Sequence, residues 1–189
     1  MSLDAGGWLF LIALAVVIAL FIGLYNRLVR LRQGARAAWS DIDAQLKRRA
    51  DLVGNLVETV KGSAAHEERT LMDVTRARAA AGIAREPGAR AEAENGLTQA
   101  LRSLFAVAEA YPDLKANQSF IGLQAELSQL EIDTLAARRY YNAVVRDLNA
   151  AIESFPSNLM AGLGGFRAMT FFELQDAADR TPPRVSFDR

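Results

Sequence analysis

The chain has 189 residues, with 22 basic and 22 acidic side chains, no cysteine and one histidine. Zero net charge gives no long-range pull on nucleic acid or on an acidic substrate, and the missing cysteines exclude disulfides, thiolate catalysis and thiolate metal sites. The length left after any membrane segment is one domain's worth, enough for a real core.

Residues 5–26, AGGWLFLIALAVVIALFIGLYN, carry no charge. As a helix rising 1.5 Å per residue, that run is roughly 33 Å long and matches a hydrocarbon core of about 30 Å. Asp4 precedes it, whereas Arg27, Arg30, Arg32 and Arg36 follow before the next acid, Asp41. Basic residues stay on the cytoplasmic side, so the run reads as a transmembrane helix with residues 1–4 outside and the remainder in the cytoplasm. A cleaved signal peptide would instead carry its positive charge ahead of a shorter apolar stretch. Trp8, Phe10, Phe21 and Tyr25 are the expected membrane-anchoring aromatics, with Trp8 and Tyr25 at the two interfaces. The four arginines set topology and are placed to meet anionic lipid headgroups.

Residues 27–158 read as a helical bundle. Over 27–61 the positions Leu31, Ala35, Ala38, Ile42, Leu46, Arg49, Val53, Leu56 and Val60 step by three and four, with Arg49 as one polar lapse. No proline separates this helix from the membrane run, so the two are expected to be continuous. Gly62 suits a helix end, and Ser63 is expected to cap the next helix, about 64–84. A third helix spans about 88–111, closed by Tyr111-Pro112-Asp113. A fourth, about 114–155, carries a five-heptad seam through Phe120, Leu123, Leu127, Leu130, Thr134, Ala137, Tyr141, Val144, Leu148, Ala151 and Phe155. Asn142 and Asn149 each follow a seam residue and are candidates for fixing register or capping a neighbouring loop. The tail, 159–189, is rich in Phe and Gly, with a short helix expected to about 179. Its Phe166, Phe171 and Phe172 must dock on the bundle, lie in the membrane interface or meet another subunit.

Four ordered stretches resemble the LemA family and cover nearly all of the chain. They are Tyr25-Asn26-Arg27-Leu28-Val29; Trp39-Ser40-Asp41-Ile42-Asp43 running on to Gly62, then His66-Glu67; Tyr111-Pro112-Asp113-Leu114-Lys115-Ala116-Asn117 with Phe120; and Arg138-Arg139-Tyr140-Tyr141-Asn142 through Asn149 to Phe155-Pro156. The family usually has Tyr at position 50 and Pro at position 54, where this chain has Ala50 and Gly54. A proline would kink the first helix, whereas Gly only weakens it by about 1 kcal/mol. The resemblance implies a bacterial inner-membrane protein with one N-terminal span and a long-helix bundle, and it implies no enzyme. Some relatives, such as those of magnetosome membranes, are linked to membrane organisation.

The residues themselves point the same way. His66-Glu67 lacks the second histidine that a zincin site requires, and with one histidine and no cysteine there is no nucleophile–base pair of the Ser-His or Cys-His type. No catalytic residue, metal ligand or cofactor is expected. The glycines near 162–165 are not followed by the Lys-Ser/Thr of a phosphate loop, and no basic–aromatic interleaving suggests nucleic acid. Arg138 and Arg139 belong to a charge run that either pairs between helices or docks a partner. The expected fold is all-α: a transmembrane helix followed by an elongated antiparallel bundle of about four long helices. The expected function is a membrane-anchored scaffold that contacts lipid and assembles with copies of itself or with other membrane proteins. The alternative is an accessory or sensor subunit of a membrane enzyme such as a peptidase or kinase.

Overall fold

A computed structural model of the chain describes residues 5–64 and 67–173. Every regular element among them is an α-helix: α1 Ala5–Ser63, α2 Glu68–Ile83, α3 Pro87–Ala108, α4 Pro112–Lys115, α5 Gln118–Glu153 and α6 Ser157–Leu163. The all-α class and the long apolar N-terminal helix are as expected. The membrane run and the first bundle helix are one helix of 59 residues, α1. Gly54 leaves it unbroken because a helical glycine keeps its N–H, which a proline would lose. Among the described residues α1 alone is long and apolar enough to cross a membrane, and none of its most apolar window is buried against protein.

The described residues fall into two compact units. One comprises 5–41 and 139–170, the other 42–138 and 171–173. In the first, α5 runs antiparallel to α1: the Trp39 and Tyr141 rings lie 5.5 Å apart, and Leu28 shares a buried cluster with Ala151 of α5, Ala161 of α6 and Phe166. In the second, the core draws on the end of α1 (Leu52, Leu56, Val60), α2 (Leu71, Val74), α3 (Leu97, Leu101, Leu104), Leu114 of α4, and the start of α5 (Phe120, Leu127, Leu130). The step-of-three-and-four positions of α1 are buried from Ala35 to Val60. That is the outcome a 3.6-residue period dictates once one face meets neighbours.

Several local expectations are corrected. Ser63 is the last residue of α1 and not the cap of the next helix; α2 starts at Glu68, with Glu67 at its N-cap. The expected fourth helix is divided. Pro112 opens the single turn of α4, and Asn117 then breaks the chain and starts α5, its Oδ1 accepting from the Ser119 and Phe120 amides at 2.9 and 3.3 Å. An asparagine that bonds forward to amides two and three residues on is a helix N-cap. The heptad seam is buried from Phe120 to Ala151, with Leu123, Ala137 and Val144 only half-buried, but it stops short of Phe155, which is 80 % exposed. A further helix, α6, occupies the start of what reads as tail. The short helix expected to about 179 lies outside the described residues, as does His66.

Candidate functional site

Two constellations of polar and aromatic side chains stand out, one in each unit. The first ties the tail to the helices beside the membrane run. Gly164 and Gly165 turn the chain after α6. Gly165 takes φ +64°, and a Cβ at Gly164 would meet the Phe166 ring at 2.6 Å, so both positions require glycine. The turn seats Phe166 edge-on to Tyr25, with ring centroids 5.7 Å apart, and under the Arg32 guanidinium, 4.5 Å from the ring centre. A cation over a ring face is attracted by the ring quadrupole. The following backbone is then strapped down. Asn149 Oδ1 accepts from the Met169 amide and its Nδ2 donates to the Met169 carbonyl, both at 2.9 Å, while the Tyr141 hydroxyl donates to the Thr170 carbonyl at 2.8 Å.

This arrangement places many of the residues singled out from sequence. Asn149 holds the backbone at Met169 through both polar atoms of its amide. Phe166 and Phe172 are buried within the chain and are therefore not free contact surfaces; Phe171 is 38 % exposed. Arg32 is engaged with Phe166, whereas Arg27, Arg30 and Arg36 remain exposed. Trp8, Phe10 and Tyr25 are exposed along α1 and Phe21 is half-buried. Arg139 is exposed, Arg138 half-buried, and Asn142 half-buried.

The second constellation explains the polar lapse in α1. Arg49 is buried, and its Nη1 donates to Glu94 Oε2 at 2.9 Å while Nη2 donates to Thr98 Oγ1 at 2.9 Å. Arg90, also buried, brings its Nε to 3.2 Å from Glu94 Oε1, off hydrogen-bond geometry. Two guanidinium groups thus flank one carboxylate that is 1 % exposed. A buried charge must be paired, and this pairing selects which face of α3 meets α1. Glu94 and Arg90 were not anticipated. Glu94 sits three residues before Leu97 on the same apolar stripe, so an acid on one apolar face and an arginine on another was the available signal. Beside Arg49 and Thr98 lies a cleft of about 290 Å³ walled by Leu101, Phe105 and Leu127, just below the ~300–1,000 Å³ range for ligand pockets.

A third device lies one turn below Arg49. Arg78 Nε donates to the Ala50 carbonyl at 2.6 Å, and a Cβ at Gly54 would stand 3.0 Å from the Arg78 guanidinium carbon. Ala50 and Gly54 are therefore the seat of one arginine. Among the described residues no group of three or more His, Asp or Glu side chains is placed to share a metal ion.

Comparison with known proteins agrees with this architecture. A sequence profile described as the LemA family matches residues 38–187. Magnetosome protein MamQ 2 of Paramagnetospirillum magneticum is 26 % identical, across 89 % of this chain and 71 % of its own. Magnetosome protein MamQ of Magnetospirillum gryphiswaldense is 24 % identical with the same coverage. Protein LemA of Metamycoplasma hominis is 26 % identical, across 80 % of this chain and 70 % of its own.

Proposed function

Because the chain belongs to the LemA family and is a membrane-associated helical protein, we propose that it works as a single-pass, non-enzymatic scaffold. The apolar run enters the cytoplasmic membrane from outside, the helical body stands in the cytoplasm, and copies of the protein assemble there. One observation carries this reading: the exposed apolar run and the core-forming stretch are the same unbroken helix, α1. The body is tied to the bilayer without a flexible linker, and confinement to a surface raises the effective concentration of copies. The arginines that follow the run support the orientation. The tail aromatics Phe166 and Phe172 are used inside the chain. Self-assembly accordingly rests on helix faces such as that of Ile121 and Ile132, exposed three turns apart on one strip of α5. Relatives named as magnetosome proteins support a part in an assembly.

Crosslinking in native membranes followed by mass spectrometry tests the proposal. Links between identical peptides are expected. One-to-one links to a membrane enzyme would favour the accessory-subunit reading instead, and a monomer at every concentration in detergent would count against assembly. A C-terminal reporter active only outside the cell would reverse the orientation.

A further inference from the structure

Three large apolar side chains at the α5–α6 corner are about half exposed or more. Phe155 is 80 % exposed, Leu159 49 % and Leu163 83 %. They recur every four residues, so Leu159 and Leu163 share one face of α6 and Phe155 leads into it. The corner itself is well fixed. The Ser157 hydroxyl is buried, lying 2.6 Å from the Ala151 carbonyl and 2.9 Å from that of Ser154, and the opposite side of α6 packs through Ala161 and Met160 in the cluster that holds Leu28. The exposed side is thus a built surface and not a frayed end. Scattered apolar side chains on a surface need no explanation, but three large ones in sequence on one corner do.

Their level along α1 says what covers them. Trp39 pairs with Tyr141, and Leu28 shares its cluster with Ala151, so the antiparallel register advances eleven residues on α1 for ten on α5. Continued two residues past Ala151, to the end of α5 at Glu153, it brings the α5–α6 corner level with about Asn26, the last residue of the uncharged run 5–26. Phe166, next along the chain, meets Tyr25, and Arg27, Arg30 and Arg167 are exposed around this level. Apolar groups near the end of a membrane span, with exposed cations close by in the chain, match the boundary between acyl chains and anionic headgroups.

We propose that the α5–α6 corner is a second membrane contact: Phe155, Leu159 and Leu163 enter the lipid interface of the bilayer that α1 crosses. The inference rests on the reading of α1 as a span. The corner then acts as a foot that stops the body from tilting or turning about α1, because a lone helix fixes only one axis.

The chain has no cysteine, so single introduced cysteines give unambiguous labels. Phe155→Cys, Leu159→Cys and Leu163→Cys are made in the full-length protein, with Met72→Cys and Ile132→Cys as exposed controls and Val16→Cys as the reporter of the span. Each variant is labelled with an environment-sensitive fluorophore and placed in phosphatidylcholine–phosphatidylglycerol vesicles carrying nitroxide lipids. Labels at 155, 159 and 163 should be quenched by shallow nitroxides, matching insertion of ~5–10 Å, and those at 72 and 132 should not. If position 16 is quenched and the corner behaves like the controls, the foot is wrong while the span stands. If position 16 is not quenched, the span reading fails and the foot with it. Nitroxide labels at 155 and 163 that broaden one another between copies would assign the corner to a subunit interface and overturn the proposal.

Discussion

Arg49 shows how one residue out of rhythm can carry more information than those in rhythm. Two guanidinium groups face Glu94, so the three members are not equivalent. Removing Arg49 leaves Arg90 paired with Glu94, and a leucine there completes the apolar stripe of α1. Removing Glu94 leaves two buried cations facing each other. Glu94→Leu is therefore expected to cost about 3–5 kcal/mol, the range for breaking a buried pair from one side. Arg49→Leu should cost distinctly less. Denaturant melts of both variants in detergent, followed by circular dichroism, check the order; equal costs would mean the triad is not organised around Glu94. Gly54 offers a second comparison. Gly54→Ala gains about 1 kcal/mol of helix propensity but presses on the Arg78 guanidinium, which must withdraw from the Ala50 carbonyl. In the natural background the two effects should nearly cancel. In an Arg78→Ala background the same substitution should stabilise by about 1 kcal/mol. A melt that shows equal gains in both backgrounds would remove Arg78 from the account.

At the scale of the element, the three-and-four periodicity of α1 and α5 placed most of their buried faces in advance, because a helix face is a local property of sequence. What connects elements was less visible, since it depends on partners far along the chain. Glu94 lies 45 residues from Arg49, and Met169 lies 20 from the Asn149 that holds it. Ser63 looked like the cap of the next helix and Asn117 did not, yet Ser63 ends α1 and Asn117 bonds forward to free amides. The α1–α2 and α3–α4 connections show the same dependence: the Tyr111 hydroxyl, at the N-cap of α4, donates to Glu67 Oε1 at the N-cap of α2, 3.0 Å away. That hydrogen bond, then burial, then the negative charge of Glu67 raise the Tyr111 pKa above its ordinary value near 10. Folding thus holds the phenol protonated. Its contribution is complete below the ordinary tyrosine value and is lost as pH rises through the raised one, where phenolate and carboxylate would face each other. Relative to Tyr111→Phe, the natural chain should therefore lose stability as the pH rises above about 10. Parallel melts across that window test it, and parallel curves for the two proteins would show that the bond does not persist in solution.

For the molecule as a whole, the proposed span and a core-forming stretch share one helix, and the two can be separated by deletion. The most apolar window of α1 is wholly unburied, while the buried clusters draw on α1 only from Leu28 onward. Removing residues 2–24 should therefore spare both clusters, provided Tyr25 is kept for its contact with Phe166. The truncated chain would still expose Phe155, Leu159 and Leu163 to water, where a bare apolar corner promotes unspecific association. The informative version carries serine at those three positions. It should be soluble and as helical per residue as the body of the full chain, with a cooperative melt. Its self-crosslinking at equal bulk concentration should fall steeply, because the membrane no longer concentrates the copies. Crosslinking by this chain that matches the membrane-bound protein would place the whole drive for assembly in the helix faces. Loss of the cooperative melt would mean that the span is structural support for the body and not only its tether.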